Sequence, residues 1–362
     1  MRAFLKWFRK LHLWLLADLL VLGLFFALRT QRALMNFFSA CVAMPLERGL
    51  GRLWSVVPFS AAELCYAAAI LGLPVYFAAS AFAVYRAEYK RDELYRRALI
   101  LLNTVLSLYA AFCLLWGVNF YCDDFCDRSG IRARPVSRED LLSVTRLFAE
   151  QAARCADQVP RNADGTCAAD RGEALSLAPA LYDAVSQELP FLRLRVDPRP
   201  KPVFFSRVMS AMNVTGLYFP FTGESNLNMD FPVATFPATV AHELAHRRGI
   251  ASEQQCNFLA VLASTRSPYP AYRYSGWLLG YIHLYNALYS VDPEACRDLS
   301  ASLPETVRAD LRAANEYWAR YDGRVSRASG RAYDAMLRSY GDELGMRSYG
   351  AVVDLLVAYY GD

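Results

Sequence analysis

The stretch "ATVAHELAHRRGIASEQQCNF", Ala238 to Phe258, holds two histidines four positions apart with a glutamate beside the first: His242, Glu243 and His246. On a helix, four positions are roughly one turn, so both imidazoles face the same way. Two rings so placed can reach one Zn²⁺ at about 2.0–2.1 Å. Glu243 stands about 100° round from His242, which sets its carboxylate beside such an ion rather than on it. From there it can take a proton from water whose pKa the metal lowers to about 7. The pattern is that of metal-assisted hydrolysis with Glu243 as general base. The chain has only four histidines, and two are here. Ala238, Thr239, Val240, Ala241, Leu244 and Ala245 predict a helix suited to burial. A buried histidine pair beside a carboxylate needs a partner, and a metal supplies one.

Two histidines are too few ligands. If one straight helix ran on to Glu253, that residue would stand about 10 Å further along the axis, too far for a shared ion. The chain must therefore turn. Gly249 is where a helix can stop in a left-handed conformation. "SEQQCNFLAVLAST" then predicts a second helix, with Ser252 as its cap and Glu253 in its first turn. Packed back on the first helix, it aims Glu253 at the metal as the third ligand. Gln255, Cys256 and Glu224, the last on the predicted hairpin "FTGESNLN", compete for that role. Asn257 is placed to orient a ligand.

The remaining sequence says where this site resides. Hydrophobic residues make up 55% of 362, mean hydropathy is +0.13 and net charge is +4. That composition suggests membrane segments and gives no support for nucleic-acid binding. Three apolar stretches, about 13–28, 60–84 and 98–121, are long enough to be membrane helices. No small-x-small cleavage site follows Leu28, so the first is expected to be a retained anchor. Arg2, Lys6, Arg9 and Lys10 before the first stretch, and the five basic residues of "RAEYKRDELYRR", Arg86 to Arg97, place the amino terminus inside and the large carboxy-terminal part outside. Asp18 lies within the first stretch and Glu63 at the edge of the second, where an interfacial position is expected.

Residues 1–121 thus read as a membrane domain and 122–362 as one outer domain. Ser137 opens a helix, a second covers Glu173 to Leu189, "RLRVD" and "PVFFS" read as strands, and "TGLYFPFTGESNLNMD" reads as strand, turn and strand with Gly223 in the turn. From Pro237 the chain reads as mostly helical, and "SYGAVVDLLVAYY" closes it with an apolar stripe. Of the nine cysteines, Cys155 and Cys167 could close a polar loop, and Cys122 and Cys126 could pair. His283, Tyr272 and Tyr274 are candidates to stabilise a developing oxyanion, although packing within an aromatic helix also accounts for them.

"FSRVMSAMNVTGLYFPFTGESNLN", "HELAHRRGIASEQQCNF", "YRYSGWLLGYIHLYNALY", "WGVNFY" and "PFSAAELCY" together resemble an uncharacterised family of bacterial multi-pass membrane proteins, which share domain of unknown function 3810. The resemblance covers most of the chain. It implies an H-E-x-x-H protein with a glycine and then an acidic helix start, matched here by His242, Glu243, His246, Gly249 and Glu253. Family sequences read E-x-E-A-N over the second helix, whereas this chain has Gln255 at the second glutamate. The glycine spacing is also that of one large class of zinc proteases, whose third histidine would fall at Ser252. The expected architecture is mostly α with a small β-sheet: three transmembrane helices followed by an α+β zincin-like extracytoplasmic domain. The expected function is that of a zinc metallopeptidase anchored in the bacterial cytoplasmic membrane. Its metal ligands are His242, His246 and Glu253, its catalytic residues Glu243, His283 and Tyr274, and its partners the lipid bilayer and a peptide or protein substrate. The alternatives are a non-catalytic envelope or scaffold protein, or a zinc amidase acting on cell-wall peptide.

Overall fold

The computed structural model describes residues 8–340 and 349–361; Arg2 and Lys6 of the basic amino terminus lie outside them. Helix α1 (Arg9–Leu28) is followed by the short α2 (Arg32–Phe38), which passes through a π-helical turn, Ser39–Ala43, into α3 (Met44–Trp54). Two 26-residue helices follow, α4 (Ala61–Arg86) and α5 (Lys90–Leu115). Helices α1, α4 and α5 are long and apolar enough to cross a membrane, and none of the apolar window of α4 is buried against protein (0%). The third apolar stretch, expected over about 98–121, is α-helical only as far as Leu115. Its helix starts among charged residues at Lys90 and gives way to a 3-10 turn, Gly117–Tyr121. Gly117 sits where an added Cβ would lie 2.7 Å from the Tyr340 ring, so the chain bends tightly round that side chain. Asp18 is not stranded in α1: Ser107 of α5 donates to it at 2.9 Å.

The carboxy-terminal part begins with α6 (Phe125–Ser129) and α7 (Arg138–Ala156). As expected, Ser137 caps α7 by accepting the Asp140 amide at 3.1 Å. The helix expected over 173–189 is broken into α8 (Arg171–Leu177), a 3-10 turn at Ala178–Ala180 containing Pro179, and α9 (Val185–Glu188). "RLRVD" is not a strand. It is an extended arm whose Asp197 binds two buried guanidiniums, Arg247 at 2.7 Å and Arg248 at 2.6 Å. A three-stranded sheet, in the order β1-β3-β2, forms from β1 (Lys201–Val203), β2 (Gly216–Phe219) and β3 (Glu224–Asn228), with α10 (Ser206–Ala211) after β1. Strands β1 and β3 run parallel, and β2 pairs antiparallel with β3 across the turn at Gly223, whose φ is +65°.

Helices α11 (Phe236–His246), α12 (Glu253–Thr265) and α13 (Pro270–Val291) pack successively, and α13 lies along α7. Then come α14 (Pro293–Ser302), α15 (Glu305–Ala319), α16 (Arg324–Ser339) and α17 (Tyr349–Tyr360). Phe148, Phe236, Phe258, Tyr281 and Leu356 fill the shared core, all at most 2% exposed.

The cysteine pairs do not form: Cys155, Cys167, Cys122 and Cys126 are all free thiols. The loop that a Cys155–Cys167 bond would have closed is held by Arg161. Its guanidinium donates to the Ala156 carbonyl at 2.9 Å and pairs with Asp310, which also accepts the Cys167 amide at 2.6 Å.

The sheet is fastened to α4 by two carboxylates pointing opposite ways. Glu224 of β3 accepts the amides of Ala61 (3.0 Å) and Ala62 (3.1 Å) at the positive end of α4. Glu63, in the first turn of α4, accepts the amides of Phe204 and Phe205, each at 2.9 Å. Both side chains are therefore committed. Glu224 anchors the helix and does not complete a metal site.

Candidate metal centre

Helix α11 positions the motif from below. Pro237 occupies its first turn, and Ser275 of α13 takes up the Ala238 amide at 2.9 Å. The helix ends at His246, and Gly249 adopts φ +82°, the left-handed stop. The turn brings the Ile250 carbonyl back to His246 Nδ1 at 2.8 Å. Ser252 takes the position before α12, but its hydroxyl makes no cap hydrogen bond.

Helix α12 delivers Glu253. Its Oε2 lies 3.1 Å from His242 Nε2 and its Oε1 lies 3.4 Å from His246 Nε2, while the two Nε2 atoms are 3.1 Å apart. Tetrahedral geometry with bonds of about 2.0–2.1 Å separates neighbouring ligand atoms by about 3.3 Å, so these spacings fit one shared zinc ion. His246 Nδ1 faces a carbonyl, which fixes it as the protonated nitrogen, and His242 Nδ1 faces Asn257 Oδ1 at 2.9 Å. In the neutral rings both Nε2 atoms are then lone-pair acceptors pointing at each other and at a carboxylate. Acceptors so clustered need a positive charge between them, a metal ion or a proton: burial works against protonating His246, yet Cys256 and Glu253 hold its pKa well above the usual range. The trio is lightly solvent-exposed (side chains 13%, 8% and 19%), as suits a site with three protein ligands and one open position. Burial opposes ionisation of Glu253, yet the two imidazoles hold its carboxyl well below the usual range.

Glu243 lies in α11 behind the trio, 3% exposed, and its Oε2 has no hydrogen-bond partner. Burial raises its pKa, against the pull of His242 and His246. A buried carboxylate oxygen left open beside a ligand cluster is what a proton acceptor requires. Gly216 of β2 makes room for it: a Cβ there would stand 2.4 Å from Glu243 Oε1 and 2.6 Å from Cγ.

Of the other expected residues, Asn257 orients His242 as foreseen. Gln255 turns away, accepting the Phe125 amide at 3.0 Å and donating to Asp124 at 2.8 Å, so glutamine there removes no donor from the trio. Cys256 sits behind the cluster, with Sγ 3.3 Å from His246 Nδ1. His283 is half-buried on α13; burial, and to a smaller degree His242, lowers its pKa to about 4. Tyr274 is not brought to the site. Its hydroxyl donates to Asp310, whose carboxylate Arg161 pairs with, and Tyr272 donates to the Ala174 carbonyl at 2.7 Å.

The aromatic hydroxyl beside the trio belongs to Tyr333 of α16, which donates to Glu253 Oε1. Trp116, just past α5, packs edge-on against the His246 ring at 5.6 Å and against Tyr218 at 5.2 Å. Sequence reading missed Tyr333, Trp116 and Gly216. Tyr333 stands 80 residues from its partner in a helix with no motif of its own.

A model of the family described as "Protein of unknown function (DUF3810)" matches residues 38–357. The chain belongs to this family. No curated protein and no solved structure matches it.

Proposed function

We propose that this member of the family is a membrane-anchored zinc-dependent peptidase, working at the outer face of the bacterial cytoplasmic membrane. The observation that carries the reading is the convergence of His242, His246 and Glu253 around one point, with the buried, open carboxylate of Glu243 alongside. His242, His246 and Glu253 would hold a zinc ion, which would supply a Lewis acid to polarise a carbonyl and activate water. Glu243 accepts the proton of the attacking water and returns it to the leaving amine. Tyr333 donates its one O–H to Glu253 Oε1; turned from that oxygen, the same O–H would serve the oxygen on which charge develops. Asn257 and the Ile250 carbonyl hold the two imidazoles in one tautomer and orientation. Helices α1, α4 and α5 anchor the chain, with the amino terminus inside. Trp116, just past α5, lies against His246, which supports a site near the membrane end of the outer domain and substrates that are peptide segments close to the bilayer surface.

The test compares metal content and peptide hydrolysis in the wild type and Glu243→Gln. The expected result is zinc at one per chain in both, with hydrolysis lowered by roughly 10²–10⁴ in the variant. A wild type that binds no zinc, or a variant as active as the wild type, overturns the reading.

A further inference from the structure

We propose that the outer domain dips an apolar foot into the bilayer: Phe204, Phe205 and Val208, with Val56 and Phe59 of the segment leading into α4, form a lipid-contacting surface continuous with the bare exterior of α4. This rests on α4 being a membrane span. Phe204 is 86% exposed, Val56 82%, Phe205 and Val208 56% each and Phe59 48%. A cluster of large apolar side chains presented outward marks an interaction surface.

Its place in the fold names the partner. The amides of Phe204 and Phe205 are bound by Glu63 in the first turn of α4. Lys201 donates to the carbonyls of Trp54 (3.1 Å) and Val57, which ties the segment before α4 to the strand that leads into Phe204. Both loops therefore stand at the amino-terminal end of the span. With 26 residues at 1.5 Å each, α4 is about 39 Å long, against a hydrocarbon core of about 30 Å. A centred helix overshoots by about 4–5 Å at each end. Glu63 then lies at headgroup level and the phenylalanine rings beside it reach the acyl boundary, the depth at which interfacial elements bury their apolar faces.

The backbone is prepared for that depth. Polar main-chain groups at lipid level must be satisfied within the protein. The Phe204 and Phe205 amides are satisfied by Glu63, and the Val203 carbonyl accepts the Ser206 hydroxyl at 2.6 Å. A water-facing loop has no need of a carboxylate from a membrane helix to satisfy two consecutive amides.

The experiment uses the full chain in nanodiscs of phosphatidylcholine and phosphatidylglycerol. An environment-sensitive fluorescent amino acid replaces Phe204, or separately Val208, or Ile70, which is 70% exposed in mid-span. Quenchers are lipids with a doxyl group near the headgroup or deep in the acyl chain, and aqueous iodide. At positions 204 and 208 the shallow lipid is expected to quench roughly twofold more than the deep one, with iodide ineffective. At position 70 the deep lipid quenches most. Iodide quenching without lipid quenching at 204 and 208, with Ile70 still lipid-quenched, overturns the foot and leaves the span. Protection from both quenchers that grows with protein concentration assigns the surface to a second copy and also overturns it. Absence of lipid quenching at position 70 removes the span reading and the foot with it.

Discussion

Gly216→Ala is a one-carbon perturbation whose effect can be worked out from coordinates. The new Cβ would stand 2.4 Å from Glu243 Oε1, 2.6 Å from Cγ and 2.7 Å from Cδ. Ordinary contact needs about 3.4 Å, so Glu243 or β2 must give way by about 1 Å. Neither has free space: Glu243 is 3% exposed, and β2 is held by β3 along its length. Overpacking of this kind costs about 1–3 kcal/mol, which in a domain of this size lowers Tm by roughly 2–10 °C. A carboxylate displaced by about 1 Å from its working position loses on the order of 10² in rate. Zinc affinity should be unchanged, because none of the ligands is touched. The decisive measurement is a double-mutant cycle. In a Glu243→Ala background the carboxylate is gone and the new methyl enters vacated space, so Gly216→Ala should cost less than about 0.5 kcal/mol there. Equal destabilisation in both backgrounds would show that the glycine serves the strand and not the glutamate. Full activity of the single variant would refute the packing argument outright.

Other perturbations address the cluster from different sides. Asn257→Ala removes the acceptor that fixes His242 and should weaken zinc binding about 10–100-fold in competition with a chromophoric chelator, with the fold retained. Tyr333→Phe removes the donor to Glu253 and should weaken zinc binding about 10–100-fold, and at saturating zinc should lower kcat by roughly 10²–10³; an unchanged kcat would restrict Tyr333 to holding Glu253. Glu47 of α3 is fully buried, accepts the Tyr218 hydroxyl at 2.9 Å, and is pushed by that burial from 4.5 to about 8. The folded chain therefore keeps a proton that the unfolded chain releases between about pH 4.5 and 8, so stability should fall as pH rises through that window and level off above it. The contribution of Glu47 to the slope is bounded by about 1.4 kcal/mol per unit, and Glu47→Gln should remove that part in thermal melts recorded across the range.

How far the sequence could lead depended on the range of each interaction. His242, Glu243, His246 and Glu253 lie within twelve positions, and helix geometry plus one left-handed glycine is enough to bring them together. The strand pair around Gly223 was legible for the same reason. What could not be read is what returns from a distance. Tyr333 reaches Glu253 only because α16 crosses back over the cluster, and Gly216 matters only because β2 presses against α11. "RLRVD" alternates as a strand does, but Asp197 has two buried arginines to neutralise, and the ion pairs override the pattern. Glu224 and Tyr274 are chemically suitable residues drawn into other duties, one capping α4 and the other joined to Asp310. Residue type proposed them, and burial and partners excluded them.

The boundary drawn at residue 121 divides the sequence more cleanly than it divides the molecule. Trp116 lies against the His246 ring, and the sulfur of Met44 would be 3.0 Å from a Cβ at Gly249, the residue that lets α11 stop. Glu47 holds the Tyr218 hydroxyl on the strand that makes room for Glu243, and Gly51 packs so closely on the Gly223 turn that a Cβ there would meet its carbonyl at 2.7 Å. Each of these contacts comes from the segments joining or ending the apolar helices, and each touches the turn, strand or ring that sets the cluster's geometry. Packed interiors transmit displacement because they have few voids to absorb it. A tilt of α5 or a shift of α3 therefore moves the groups that orient His246 and Glu243. The segments that join and end the apolar helices thus form one wall of the cluster, and its geometry is coupled to the placement of those helices.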